Sequence, residues 1–370
     1  MSQLYIGLMS GTSADGVDAI LAEIDQSGSF KLLDCLATPY PDRFRDKLLA
    51  LALSQQISRT SLGELSYQLG EQFSNACLQL LQRNQLSSAD ICAIGSHGHT
   101  IDHAPDSETP YSIQIGNHSL VAERTGVTTV ADFRSRDIAA GGQGAPLVPA
   151  FHQWLFQQAP DQSAIINIGG ISNITALENV DSKGYDCGPG NCLLDSWHQR
   201  HSGESYDKDG ISARQGAVVQ SLLKLCLNDP YFQQPAPKST GREYFNLDWL
   251  EAKLEQIDKI DQVNWQDIGR TLLELTAQCI LDCARHEQRR QLYLCGGGYH
   301  NSLLVERITA LASTHHIDVD STLSLGLDVD WVEASAFAWL ARQTVLSLPG
   351  NLPSATGAKG PRVLGAIYPA

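Results

Sequence analysis

Apolar residues run through or alternate with polar ones over residues 4–8, 17–24 and 30–37 in the manner of β-strands, and Ser10, Gly11, Thr12 and Ser13 break the first from the second. The chain is thus predicted to open as a meander of three short strands. The period then lengthens to that of a helix over 43–53 and 62–82, the second placing Leu62, Leu65, Leu69, Phe73, Cys77 and Leu80 on one broad face. Such a face has to pack, and the sheet is its natural partner. Residues 91–95 read as a parallel-type strand opening directly into Ser96, His97, Gly98, His99 and Thr100, and polar residues at a strand end mark a crevice.

Beyond a short strand at 127–131 the pattern restarts. Residues 164–168 form an apolar strand, Gly169 and Gly170 a turn, and 173–177 the returning strand. Helical periods follow at 192–201, 213–227 and 268–285, and a strand at 292–295 runs into Gly296, Gly297 and Gly298. Two halves of like pattern predict an α/β molecule of two lobes with a cleft between them. The expected division is 1–130 with about 345–370 as the first lobe and 131–344 as the second, the apolar run at 363–367 returning to complete the first lobe or cap an edge.

At 370 residues, 42% hydrophobic and 18% charged, the chain is an ordinary globular protein with ample core. Its 41 acidic and 26 basic side chains leave a net charge of -15, which disfavours nucleic acid and anionic membranes as partners. The nine cysteines are odd in number, scattered and never in a CxxC pair, so reduced thiols in a cytoplasmic compartment are expected. The start MSQLYIGLMSG lacks the basic head and apolar stretch of a signal peptide, and no stretch approaches the length of a membrane span.

Two glycine-hydroxyl turns, SGTSADG at 10–16 and NIGGISN at 167–173, carry the clearest chemistry. Glycine lets successive N–H groups converge on phosphate oxygens, and hydroxyls add donors, although the same residues also make plain hairpins. Neither turn is a Walker loop. Asp15 and Asp18 flank Gly16, where they would hold a hydrated magnesium ion or else cap the turn. In YDCGPGN, Asp186 precedes a stiff Gly-Pro-Gly bend that would aim a general base from a loop; an Asx-turn is the plainer role. His97 and His99 on an extended segment point to opposite faces, a poor zinc geometry, so contacts to a polar ligand or to the fold are expected. Arg134 and Arg136 precede GGQGAPL and suit an anionic or sugar-like substrate, or a surface salt bridge. Glu333 opens an apolar helix and serves either its dipole or the cleft.

GLMSGTSADGVD at 7–18, SHGHT at 96–100, QIGN at 114–117, ADFRSRDIAAGGQGAPL at 131–147, NIGGISN, YDCGPGN and LCGGGYHN at 294–301 together resemble the anhydro-N-acetylmuramic acid kinase family over nearly the whole chain. The resemblance implies the sugar kinase, hsp70 and actin superfamily: two ribonuclease-H-like lobes of mixed sheets flanked by helices, ATP and Mg2+ between them, and a cytoplasmic homodimer. It implies that 1,6-anhydro-N-acetylmuramic acid, ATP and water give N-acetylmuramic acid 6-phosphate in peptidoglycan recycling. On that pattern Gly11, Thr12, Ser13, Ala14, Asp15, Gly16, Val17 and Asp18 match the ATP-phosphate segment, and Gly169, Gly170, Gly297 and Gly298 further nucleotide contacts. Asp186 matches the catalytic carboxylate, which an ordinary Asp can serve in ionised form near neutral pH. Arg134, Arg136 and Glu333 carry over as sugar contacts. A kinase for a free hydroxyl or carboxylate is the enzymatic alternative, and a nucleotide-regulated chaperone the non-enzymatic one.

Overall fold

The computed structural model describes residues 2–11, 13–25, 28–54, 56–258 and 262–370. Its strands are, in chain order, β1 (Gln3–Met9), β2 (Gly16–Ile24), β3 (Phe30–Pro39), β4 (Ile91–Ser96), β5 (His99–Ala104), β6 (Tyr111–Ile115) and β7 (Thr129–Ala131). There follow β8 (Ser163–Ile168), β9 (Ile171–Ala176), β10 (Lys183–Pro189), β11 (Gln291–Cys295), β12 (Asp318–Ser321) and β13 (Ala366–Tyr368). The chain divides into two compact units, Met1–Gln157 with Trp331–Ala370, and Gln158–Asp330.

The first unit is built on the sheet β13-β7-β4-β1-β2-β3. β1, β2 and β3 form the expected antiparallel meander, β4 and β7 add in parallel, and β13 returns antiparallel to β7. Alternation along β1 sends Ile6 and Leu8 into a core with Leu65, Leu69, Phe73, Cys77 and Leu80 of helix Arg59–Arg83. Gly7 points the other way, onto helix Val332–Val345, whose Ala334 carbonyl a Cβ there would overlap. That contact explains why residues 331–344 belong with the first unit, where the sequence expectation placed them in the second. Residues 131–157 also fall in the first unit.

The second unit repeats the plan. Its sheet runs β10-β9-β8-β11-β12, with β8, β9 and β10 antiparallel and β11 and β12 added in parallel. Helix Trp265–His286 buries Ile268, Leu272, Leu275 and Cys279 in a core shared with Leu193 and Trp197 of helix Cys192–Ser202. Meander, then parallel strands beside its first member, is thus the order in both units, the α/β duplication expected from the sequence.

Two local expectations are corrected. The helical period at 213–227 is cut into Ile211–Arg214 and Gln220–Leu227, because Asp267 and Thr271 take the Ala217 and Val219 amides and Gly216 lies against the Gln266 carbonyl. Asp186 sits within β10 rather than on a loop, at a bulge that falls between it and Gly188. The polar run after β4 leads into the hairpin β5–β6, with His99 and Thr100 in β5.

Candidate active site

In each unit the glycine-rich turns cap the carboxyl ends of neighbouring parallel strands, the place where open α/β sheets bind ligands. In the first unit the turn from β1 to β2 is closed by the Ala14 N–H donating to the Gly11 carbonyl at 3.0 Å and the Ser13 hydroxyl donating to Asp15 Oδ1 at 2.9 Å. Ala14 takes a left-handed φ of 50° and is buried. Gly16 is required because a Cβ there would overlap the Thr38 carbonyl of β3. Gly11, Ser13 and Asp18 are half-buried, Asp15 is exposed and Val17 is buried; Thr12 lies outside the described residues. Asp18 stands opposite Met9 in the β1–β2 register.

Behind this turn runs a buried hydrogen-bond chain that the sequence did not signal. The Tyr40 hydroxyl donates to Ser10 Oγ at 2.9 Å, and Ser10 Oγ lies 3.0 Å from His99 Nδ1. Burial pushes His99 down to about 4, so the ring is neutral at pH 7. His97 is also held neutral, by burial and then by the positive charge of Arg134. Arg134 donates to His97 Nε2 at 2.8 Å and to the Gly144 carbonyl at 2.7 Å, so the guanidinium joins the β4 end to the GGQG loop. The loop is secured by buried Asp137, which accepts from the Gly144 amide, Asn351 and Thr356.

The predicted sugar contacts divide. The His97 ring lies 4.8 Å from that of Phe337, and Glu333 stands one helical turn before Phe337 on the same helix face. Arg134 and His97 thereby meet at the end of β4, and Glu333 lies in the first turn of the helix that carries Phe337. Arg136 is exposed and, two residues beyond Arg134 on helix Phe133–Ala139, faces away from it.

In the second unit Asp186 on β10 pairs with Asn173 on β9, and Asn173 pairs with Asn167 on β8. These three side chains form a polar row across the sheet, continued on β11 by Cys295, whose thiol lies 3.9 Å from Asn167 Oδ1. Beside the row lie both glycine turns. The Gly169 amide donates to the Ile171 carbonyl, while the Gly169 and Gly170 carbonyls accept from the amides of Gly190, Asn191 and Cys192. Gly298 is buried against Ile168, whereas Gly297 is exposed with no atom within 4 Å of a Cβ placed there.

Asp186 is 9% exposed and is gripped by a segment 45 to 54 residues further on. Its amide donates to the Lys238 carbonyl at 3.1 Å, its carbonyl accepts from the Tyr231 hydroxyl at 2.8 Å, and its Oδ2 accepts from the Thr240 amide at 2.9 Å. Sequence reasoning missed Tyr231, Lys238 and Thr240. Polar residues in a Pro-Lys-Ser-Thr-Gly run read only as a turn until the fold brings them to β10.

Among the described residues no group of three or more His, Cys, Asp or Glu side chains is placed to hold a metal, and the nine cysteines are free thiols. No helix among them is long and apolar enough to cross a membrane. A hollow of about 470 Å³ lined by Arg214, Arg270, Leu303, Glu306 and Arg307 contains none of the predicted site residues. Arg214 pairs there with Glu306, and Arg307 with Glu274.

A family model described as anhydro-N-acetylmuramic acid kinase matches residues 3–370. The anhydro-N-acetylmuramic acid kinase of Mannheimia succiniciproducens is 49% identical over 376 residues, covering 100% of both chains. That of Nitrosomonas europaea is 50% identical over 372 residues, covering 99% of each. A ROK family glucokinase from Streptomyces griseus in complex with glucose and AMPPNP aligns over 92% of this chain and 99% of its own, at 13% identity and a TM-score of 0.42. With a family model spanning residues 3–370 and relatives at half identity along their full length, this chain belongs to the anhydro-N-acetylmuramic acid kinase family.

Proposed function

We propose that this chain converts 1,6-anhydro-N-acetylmuramic acid, ATP and water to N-acetylmuramic acid 6-phosphate and ADP, with Asp186 as general base. The observation that carries the reading is the placement of Asp186: a carboxylate at the carboxyl edge of the second sheet, in a polar row beside two glycine turns and fixed by three hydrogen bonds. End-to-end similarity to anhydro-sugar kinases supports the substrate.

In the reaction Asp186 takes a proton from water as the water oxygen bonds to the anomeric carbon. The bond from that carbon to O6 breaks, O6 attacks the γ-phosphorus, and the bond from γ-phosphorus to the β-bridging oxygen breaks to release ADP. One base thus starts both bond changes, and its proton later returns to solvent. A fixed carboxylate contributes through orientation as well as basicity.

Gly11 to Asp18, with Gly169, Gly170, Gly297 and Gly298, serve ATP, and Arg134 and Glu333 serve the sugar. Asp15 and Asp18 supply oxygen donors suited to magnesium, which binds one or two carboxylates and otherwise keeps waters and substrate phosphates, so a site without a larger protein cluster fits it. When bound, the ion offsets negative charge on the phosphates. The reading includes a cytoplasmic homodimer, and nine free thiols accord with a reducing compartment.

The test is ADP release coupled to loss of the anhydro-sugar, with the product identified by mass, for wild type and Asp186→Asn. The amide cannot accept the proton, so the variant should keep nucleotide binding and lose most turnover. Near-normal turnover by Asp186→Asn would remove Asp186 from the role.

A further inference from the structure

Asp186 is held at three points of its backbone and side chain by residues Tyr231, Lys238 and Thr240, and the first two of these are tied to each other. Lys238 is 7% exposed, yet its ammonium donates to the Tyr231 carbonyl at 3.2 Å and lies 4.5 Å from the Tyr231 ring centre. The two residues that grip the Asp186 main chain are therefore bound to each other, through a hydrogen bond and a cation–π contact. A buried lysine is costly to keep, and tying down Tyr231 is the structural return visible here.

The segment stands on a rigid base. Asp229, 3% exposed, accepts from the Tyr231 amide, the Tyr244 hydroxyl, the Trp249 indole and the Lys253 ammonium at 2.7 to 3.1 Å. Phe245, with no exposed surface, is packed edge-on by the rings of Tyr231, Tyr244 and Trp249. Burial opposes the charge on Asp229, but these donors outweigh it and hold the carboxyl below its ordinary value. Movement of Tyr231 relative to β10 is resisted from both ends.

We propose that Tyr231 and Lys238 are positioning residues that hold Asp186 so that the Thr240 amide stays on Oδ2 and fixes the direction of the carboxylate. This rests on the reading of Asp186 as the base. The bulge at Asp186 is where a strand would otherwise let the residue twist, and the clamp acts at that point. A base displaced by a fraction of an ångström loses rate without losing substrate affinity.

The experiment measures kcat, both KM values and the pH dependence of kcat for wild type, Tyr231→Phe, Lys238→Met, Lys238→Arg and Asp186→Asn, with thermal melting to establish the folded fraction. Tyr231→Phe removes a single oxygen and keeps the ring, so it is the variant that folds most readily. The clamp predicts that Tyr231→Phe and Lys238→Met each lower kcat about tenfold or more with both KM values within about twofold. Because an N–H bond favours the ionised form of a carboxylate, loosening it moves the acid limb of kcat to higher pH. Lys238→Arg, which keeps the cation over the ring, recovers part of the rate.

Wild-type kcat and an unmoved acid limb in both Tyr231→Phe and Lys238→Met overturn the clamp, as does a kcat loss that only follows the folded fraction. An active Asp186→Asn overturns the base assignment instead. The two failures are distinct, since an inactive Asp186→Asn beside an unaffected Tyr231→Phe rejects the clamp alone.

Discussion

Gly7 and Gly95 stand opposite one another in the parallel register of β1 and β4, and a Cβ on either would overlap the backbone of helix Val332–Val345, at the Ala334 carbonyl from Gly7 and the Phe337 carbonyl from Gly95. The helix thus lies directly on two strands, with Ala334, Ala338 and Ala341 as its small inner residues. The His97 ring lies against Phe337 of this helix, and Glu333 is in the helix's first turn.

Gly7→Ala and Gly95→Ala should each destabilise the protein by about 2–4 kcal/mol, since the helix must back away from the sheet. Gly63, exposed in helix Arg59–Arg83 with nothing within 4 Å of an added Cβ, is the control. Gly63→Ala should stabilise by about 1 kcal/mol from helix propensity. Urea midpoints separate the cases, and an unchanged midpoint for Gly7→Ala would contradict the close packing.

Acid should destabilise the fold well before the carboxylates titrate. Burial pushes His99, His103 and His118 down to about 4 and His152 to about 3. In the unfolded chain these rings take up protons below about pH 6.5. Between those values the unfolded state binds more protons, so stability falls as pH falls, by up to about 1.4 kcal/mol per pH unit for each histidine. Urea unfolding at pH 7, 6 and 5 measures the slope, and His118→Gln should flatten it. Constant stability from pH 7 to 5 would mean these rings are not held neutral.

Gly297 and Gly298, adjacent in sequence, should respond in opposite ways. Gly298→Ala drives a methyl into Ile168 and should lower the melting temperature, while Gly297→Val meets open space and should leave it unchanged. If the turn serves the nucleotide, Gly297→Val raises the KM for ATP severalfold. A normal KM in the folded Gly297→Val protein removes this glycine from the ATP site.

Asp229→Ala should cost about 3 kcal/mol, because it leaves the Lys253 ammonium, the Trp249 N–H and the Tyr244 hydroxyl without their shared acceptor. The depressed Asp229 carboxyl adds stability that is complete above its unfolded value of about 3.8 and is lost as pH falls toward its folded value. Equal stability of Asp229→Ala and wild type at pH 7 would show that the hub carries no weight.

The strands of the first meander, β8 and β9 of the second, and the long buried helices were legible because alternation and the 3.6 period are properties of adjacent residues. The split of 213–227 was not, since the groups that take its amides, Asp267 and Thr271, lie 50 residues or more away. β10 was hidden by Gly188, Pro189 and Gly190, which read as a bend until β9 supplies the pairing. Asp186 was legible as a candidate base from its motif, but Tyr231, Lys238 and Thr240 carry no local sign of their grip on it. The unit boundary at 331 escaped the sequence because it depends on Gly7 and Gly95 meeting a helix more than 230 residues away.

The most direct measurement is turnover of the anhydro-sugar with ATP in 18O-water, quenched within minutes and read by fragment mass. Water attack at the anomeric carbon predicts one 18O on that carbon and an unlabelled oxygen bridging C6 to phosphorus. A phosphorylated sugar whose anomeric oxygen carries no label, or one with the anhydro bridge intact, would contradict the account.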